Sequence, residues 1–287
     1  MQKKKILVTG ANGQLGKELR DLAPESENAE FLFLSREDLP IHHFELVRNV
    51  FDSFKPNYCI NAAAYTAVDK AESEQELAHL INAEAVGVLA AVSASHDCRF
   101  IHVSTDYVYD GSKIGAHLET DATAPVSVYG KTKLDGENLG MQYDPQIVIL
   151  RTSWVYSYYG NNFVKTMMRL MQSRDEISVV DDQWGSPTWA KDLASCILSI
   201  VDYPSWHPGI YNFSNDGKIT WFEFAEEIKN LLGSACRINP IPTSGYPTPA
   251  QRPANSLMDK QKICNVFGIQ LSDWKQSLAR CVHQLTE

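Results

Sequence analysis

Ile6-Leu7-Val8-Thr9-Gly10-Ala11-Asn12-Gly13-Gln14-Leu15-Gly16 joins a short apolar run to three spaced glycines and the start of a helical pattern. Ile6 to Val8 reads as a buried strand, and Gln14 to about Leu22 as a helix that stops near Pro24. Glycines between a strand and a helix let the backbone approach a pyrophosphate. The helix N-terminus adds free N–H groups and the positive end of its dipole. Read alone, Gly10, Gly13 and Gly16 equally fit a tight turn. The pattern that follows along the chain favours the anion cradle.

That pattern is strand and helix in alternation. Phe31 to Leu34 reads as a second strand, Cys59-Ile60-Asn61 as a third, Phe100 to Val103 as a fourth and Ile147 to Leu150 as a fifth. Between them, Val47, Val50, Phe51 and Phe54 have helical spacing, a long helix is expected from about Glu76 to Ser95, and another begins near Ser127. Short apolar strands alternating with helices predict an α/β protein with a Rossmann-type, doubly wound parallel sheet. Ligands bind such sheets at the carboxyl ends of the strands. The glycine turn, Ala62-Ala63-Ala64, Ser104-Thr105 and Arg151 to Trp154 all follow strands, so they gather along one edge. Beyond Trp154 proline and aromatic residues become frequent, with a further strand at Ile177 to Val180 and a helix from Trp221 to Leu232 capped by Thr220. The expected organisation is a dinucleotide-binding domain over residues 1–154 and a smaller, mainly substrate-binding domain over 155–287. Segments near 176–200 are expected to return to the first domain.

Several side chains at that edge can carry chemistry. Tyr129 and Lys133 are four residues apart and share a helical face. An ammonium beside a phenol favours the phenolate and lowers its pKa from roughly 10, which suits a general acid or base near neutral pH. Lys133 also suits a contact to the nicotinamide ribose. The Thr105 hydroxyl suits a hydrogen bond to a substrate oxygen, or the satisfaction of a strand-end backbone group. Asp106 either orients the substrate or caps the local turn. Trp154 suits packing on a sugar ring, with core packing as the alternative. Arg252 suits a phosphate, with a plain surface arginine as the alternative. At the end of the second strand Ser35 and Arg36 stand where an NAD site has an acid, so a 2′-phosphate and NADPH are favoured. Glu37 and Asp38 close by leave NADH possible. Together these are parts for moving a hydride and a proton to or from a carbonyl.

Composition narrows the partners. The 287 residues are 44% hydrophobic and 21% charged, enough for a substantial core. A net charge of −9 argues against a nucleic-acid partner. Cys59, Cys98, Cys196, Cys236, Cys264 and Cys281 have no metal spacing and read as small core residues in a reducing compartment. No histidine spacing suggests a metal. Lys3-Lys4-Lys5 precedes too short an apolar stretch for a signal core, and no apolar run of membrane length is read, so a cytosolic location is expected.

Longer stretches carry a resemblance. Val8 to Gly16 resembles the start of the extended short-chain dehydrogenases. Asn61-Ala62-Ala63-Ala64-Tyr65-Thr66-Ala67-Val68-Asp69-Lys70-Ala71-Glu72, Ser104-Thr105-Asp106-Tyr107-Val108-Tyr109 and Val128-Tyr129-Gly130-Lys131-Thr132-Lys133 are similar to the dTDP-4-dehydrorhamnose reductase family. So are Arg151 to Tyr156, Gly160-Asn161-Asn162-Phe163, Gly185-Ser186-Pro187-Thr188 and Tyr246 to Pro253, which extend the likeness over nearly the whole chain. The resemblance implies hydride transfer from NADPH to C4 of a 4-keto nucleotide sugar, in the last step of dTDP-L-rhamnose synthesis. Tyr129 would protonate the oxygen, Lys133 would tune Tyr129 and hold the ribose, and Thr105 would bind the reacting oxygen. Thr105, Asp106 and Trp154 match sugar contacts. Gly13, Gln14, Leu15, Ser35, Ala64, Tyr65 and Thr66 match cofactor contacts.

The chain departs from the family pattern in places. Leu39-Pro40-Ile41 replaces Leu-Asp-Ile near the adenine, where Asp38 is a candidate substitute. Glu18 fits a position that bridges magnesium in some dimeric members, but Lys191 stands where a second acid is expected, so no magnesium site is expected. Related dehydratases have Asp-Glu after the threonine, whereas Asp106 is followed here by Tyr107, which favours simple carbonyl reduction. The competing readings are a reductase or epimerase of another keto-sugar nucleotide, and a non-catalytic cofactor-binding regulatory subunit. A monomer and a homodimer are both open.

Overall fold

A computed structural model describes residues 3–287. Its main sheet has six parallel strands: β1 (Lys4–Thr9), β2 (Ala29–Leu34), β3 (Tyr58–Asn61), β4 (Arg99–Thr105), β5 (Val148–Thr152) and β6 (Gly209–Phe213). Their spatial order is β6-β5-β4-β3-β1-β2. The chain winds outward from β1 in both directions, so the switch point lies between β1 and β3, where such sheets open a crevice for ligands. Val8 lies opposite Phe33 on one side and Ile60 on the other, and Thr105 lies opposite Thr152.

The two-residue period of a strand sends Ile6 and Val8 to one face and Leu7 to the other, and all three are buried. On the first face they meet Leu15, Leu19 and Leu22 of helix α1 (Gln14–Leu22), with Leu193 and Ile197 of helix Ala190–Asp202 and Ile263 of helix Gln261–Phe267. On the second face Leu7, Cys59 and Phe100 meet Val47 and Phe51 of α2 (Phe44–Phe54) and Val86 and Leu89 of α3 (Gln75–Ser95). Helix α4 (Val128–Tyr143) packs beside α3.

The sequence reading found no apolar run of membrane length. Helix α3 reaches that length and hydropathy, but Ala78, Ala83, Val86, Leu89 and Val92 are buried in the core of this fold. A π-helical turn, Leu80–Glu84, interrupts it and aims Asn82 inward. Asn82 accepts the Tyr65 N–H at 2.8 Å and donates to Tyr65 O at 3.1 Å and to Thr132 Oγ1 at 3.2 Å. One side chain thereby ties the loop after β3 to α4.

A second hydrophobic cluster forms beyond β5. The parallel pair Glu176–Val180 and Arg237–Ile241 packs with helices Phe163–Ser173, Trp221–Leu232 and Trp274–Thr286 around Met167, Ile177, Phe224, Ile228 and Leu278. Thr220 caps Trp221–Leu232 in a full capping box with Glu223. Of the segments expected near 176–200 to return to the first domain, helix Ala190–Asp202 packs on the main sheet and strand Glu176–Val180 does not. Strand Glu176–Val180 belongs to this cluster, whereas helix Ala190–Asp202, β6 and helix Gln261–Phe267 belong to the main sheet. The strand Gly-Ile-Tyr-Asn-Phe escaped detection because Gly209 and Asn212 break its apolar run. Asn212 is nonetheless buried, because its amide donates to His117 O at 3.0 Å and Asp259 O at 3.1 Å.

Candidate active site

At the switch point, Gly10, Ser35 and Ala62 directly follow β1, β2 and β3. Gly10 has φ +69°, and a Cβ there would lie 2.5 Å from Ala63 N. A Cβ at Gly16 would lie 2.4 Å from Gly10 O, so α1 seats tightly on the turn. Gly13 stands at the N-cap of α1 and makes no side-chain capping hydrogen bond. A cavity of about 450 Å³ opens here, lined by Gly10, Gly13, Ser35, Arg36, Ala62, Ala63, Ala64 and Tyr65. Bare glycine backbone, a helix N-terminus and one cation suit the phosphates of a dinucleotide.

Not every predicted cofactor residue faces this cavity. Leu15 is core, packed against the sheet. Gly16 meets Gly10 rather than open space. The Gln14 amide oxygen accepts Asn162 Nδ2 at 2.9 Å, which ties α1 to the loop before helix Phe163–Ser173. Thr66 is exposed outside the cavity lining. Asp38, the candidate adenine contact, caps its own turn. It accepts the Ser35 N–H at 2.9 Å, and its hydrogen bonds from Ser35 hold its carboxyl below the usual range. Leu39, Pro40, Ile41 and His42 form the cavity wall beside it.

The second group gathers where β4 ends and α4 begins. Ser127 caps α4 by accepting the Gly130 N–H at 3.2 Å. A Cβ at Gly130 would lie 2.2 Å from Tyr107 O, so only glycine lets the first turn of α4 close onto the loop after β4. That approach brings Tyr129 against Tyr107, ring centroids 5.5 Å apart and edge to face. Thr105 Oγ1 donates to Asp106 Oδ1 at 3.0 Å and accepts the Tyr107 N–H at 3.3 Å. Asp106 is 2% exposed; its Oδ2 makes no hydrogen bond of ordinary geometry among the described residues, although the Ser256 side chain approaches the carboxylate. Burial pushes its carboxyl up to about 7, against the pull of its hydrogen bonds.

Burial also pushes the Tyr129 phenol up to about 12; the Thr105 hydroxyl pulls it down and the Asp106 charge raises it. The expected tuning of Tyr129 by Lys133 is not the arrangement found. Lys133 is 1% exposed, and its Nζ donates to Val103 O at 2.7 Å and lies 3.2 Å from His102 Nε2. Burial pulls Lys133 down to about 8, partly offset by Glu137. The lysine spacing was legible, but its rotamer was set by polar atoms of β4 that the sequence reading passed over.

Trp154 and Arg252 are engaged within the protein. Trp154 sits in the left-handed region, φ +48°, with its ring stacked on Trp221 at 3.6 Å. Arg252 is paired with Asp69, Nη2 to Oδ2 at 2.9 Å, and also donates to Thr248 and Ala250. Asp69 lies within the Asn61 to Glu72 stretch, so this pair latches the segment after β3 to the loop near residue 250. Asn61, Asn82, His102, Asn162 and Trp221 are site residues that sequence reasoning missed. Asn82 and His102 lie inside regular elements, Asn61 and Trp221 at the ends of elements, and Asn162 at a helix N-cap; only the tertiary fold reveals their partners. Glu18 is buried and accepts from Ser157 Oγ at 2.6 Å; burial raises its carboxyl.

The family model described as RmlD substrate binding domain matches residues 4–287. The dTDP-4-dehydrorhamnose reductase of Aggregatibacter actinomycetemcomitans is 44% identical, over 96% of this chain and 97% of that protein. A dTDP-4-dehydrorhamnose reductase structure from Clostridium acetobutylicum matches with a TM-score of 0.95 at 40% identity, over 99% of this chain and 100% of the other. The Bacillus anthracis dTDP-4-dehydrorhamnose reductase, in complex with NADP, matches with a TM-score of 0.94 at 37% identity and the same coverage of 99% and 100%. Full-length likeness in sequence and fold, joined to a glycine cradle beside a threonine, aspartate, tyrosine and lysine, agrees with the resemblance read from the motifs: the chain belongs to the dTDP-4-dehydrorhamnose reductase family.

Proposed function

We propose that this chain reduces dTDP-4-dehydro-β-L-rhamnose to dTDP-L-rhamnose with NADPH. The observation that carries the reading is the convergence of Thr105, Asp106 and Tyr129 at the β4 edge, beside a phosphate-suited cavity, in a chain 44% identical to such a reductase. The backbone of Gly10 and Gly13 and the start of α1 hold the pyrophosphate, and Ser35 and Arg36 take the 2′-phosphate. Bound NADPH supplies the hydride, which forms the new C4–H bond. Thr105 holds the carbonyl oxygen by turning its single hydroxyl proton from Asp106 Oδ1 toward the substrate. The Tyr129 O–H bond breaks as its proton passes to that oxygen, and a proton from water restores the phenol. A phenol pushed up to about 12 stays protonated at neutral pH and is loaded for donation. Asp106, once Thr105 has turned to the substrate, accepts a sugar hydroxyl. The second hydrophobic cluster, beyond β5, covers the sugar and nucleotide.

The test is NADPH oxidation with enzymatically prepared dTDP-4-dehydro-L-rhamnose, with the product identified by NMR. Turnover to dTDP-L-rhamnose supports the reading. A folded, NADPH-binding protein that leaves this sugar untouched removes it and points to another keto sugar or to a binding role.

A further inference from the structure

Behind Lys133 runs a buried chain of polar groups that the proposed hydride transfer does not use. It begins at the end of β1, where Thr9 Oγ1 donates to Asn61 Oδ1 at 2.6 Å. The Ala63 backbone N–H donates to the same oxygen at 3.2 Å. A backbone N–H only donates, so this contact fixes which end of the Asn61 amide is oxygen. Asn61 Nδ2 therefore faces His102 Nδ1 as a donor, at 3.0 Å. His102 Nδ1 must accept, and a neutral imidazole then carries its proton on Nε2. Burial keeps His102 neutral, its pKa well below the usual imidazole range. Its Nε2–H points at Lys133 Nζ, 3.2 Å away. An ammonium has no lone pair and cannot accept that proton; a neutral amine can, while still donating to Val103 O. Thr9, Asn61, His102 and Lys133 are each at most 1% exposed, so water does not relieve a mismatch along this chain.

We propose that His102 is a positioning residue for Lys133: its Nε2–H, oriented by Asn61, holds the lysine against β4 as a neutral amine, and proton uptake by Lys133 breaks that contact. The titratable and charged groups around Lys133 are His102 from β4 and Glu137 from its own helix, with Tyr129 one turn earlier on that helix and Arg151 of β5 reached through Glu137. Glu137 is already committed, since Arg151 pairs with it at 2.6 Å and Ser104 donates to it at 2.5 Å. The remaining local control is the histidine. A proton taken up by Lys133 places a cation on the face of α4 that carries Tyr129, where negative charge forms once the phenol has given up its proton. The functional meaning rests on the proposed reductase reading; the tautomer and the lysine titration do not.

The test uses full-length protein without added cofactor, so it is independent of turnover. In protein labelled with ¹⁵N-histidine, the His102 signals, identified by their loss in His102→Gln, should show a protonated Nε2 and an unprotonated Nδ1. An Nδ1–H tautomer or an imidazolium overturns the proposal. In ¹³C-lysine protein, the Lys133 Cε signal, identified by its loss in Lys133→Met, should titrate two or more units below the ordinary lysine value of about 10.4. Titration at that ordinary value also overturns it. Asn61→Asp supplies an acceptor in place of the donor, which moves the histidine proton to Nδ1. Lys133 should then hold its proton at least tenfold more tightly, and an unmoved titration with a reversed tautomer sinks the coupling.

Discussion

At the scale of single residues, Tyr129 and Asp106 make separable predictions. Tyr129→Phe removes one oxygen from a half-buried ring whose edge-to-face contact with Tyr107 is untouched. Loss of a general acid costs roughly 10²–10⁴ in rate. The variant should lose kcat by that factor while binding NADPH as before; near-normal turnover would exclude Tyr129 as the donor. Asp106 predicts through stability. Its folded pKa is raised from 3.8 to about 7, chiefly by burial. The folded state thus keeps a proton that the unfolded chain releases, so this stabilisation is complete below the unfolded value. It falls as pH rises, and is lost once pH has passed the folded value. Asp106→Asn should therefore be more stable than the parent near about pH 8 and lose that advantage toward about pH 4, a span of up to roughly 4 kcal/mol. Denaturant unfolding at both ends checks the sign. Both residues were legible because they follow a strand end or share a helix face. His102 and Asn61 were not, because each sits within an apolar strand run, and nothing local separates a polar filler from a network member.

At the scale of elements, α4 is held on β4 and β5 by one buried ion pair. Arg151 Nε and Nη2 donate to Glu137, and Arg151 Nη1 donates to the Tyr109 hydroxyl at 2.8 Å. Ser104 Oγ completes the frame. Desolvating both charges costs much of what their attraction returns, but removing one partner strands the other. Arg151→Met should cost about 3–5 kcal/mol. Replacing Glu137 by leucine as well should recover most of that loss. A single variant within about 1 kcal/mol of the parent in denaturant unfolding would show that the pair does not anchor α4. Strands and helices up to β5 were readable from their periods. The π turn in α3 was not, since an extra residue in one turn leaves the apolar pattern nearly unchanged, and its product is a contact, Asn82 to Tyr65, seventeen residues apart. The left-handed Trp154 had no local signature either: its ring stacks on Trp221, sixty-seven residues away in sequence.

At the scale of the whole molecule, the chain closes its main sheet late. β6 arrives after the second cluster has begun, pairing Asn212 with Arg151 and Phe213 with Thr152. Long-range order of this kind has no local signature, which is why a boundary near residue 154 looked natural and the sixth strand was missed. The cavity at the switch point is the opposite case, because glycine spacing and strand ends locate it from sequence alone. A chain with net charge −9 repels anionic ligands at long range, so phosphate binding must be local. Gly10, Gly13, the start of α1 and Arg36 provide it at one wall of the cavity. A ligand that binds only the folded state stabilises it by about 2.7 kcal/mol at a hundredfold excess over Kd. NADPH should therefore raise Tm more than NADH at equal concentration, and Arg36→Ala should shrink the NADPH shift toward the NADH value while leaving the NADH shift nearly unchanged. Equal losses with both cofactors would mean that Arg36 supports the fold or the pyrophosphate rather than reading the 2′-phosphate. An unchanged difference would pass that role to Ser35 and the cavity wall formed by Leu39 to His42.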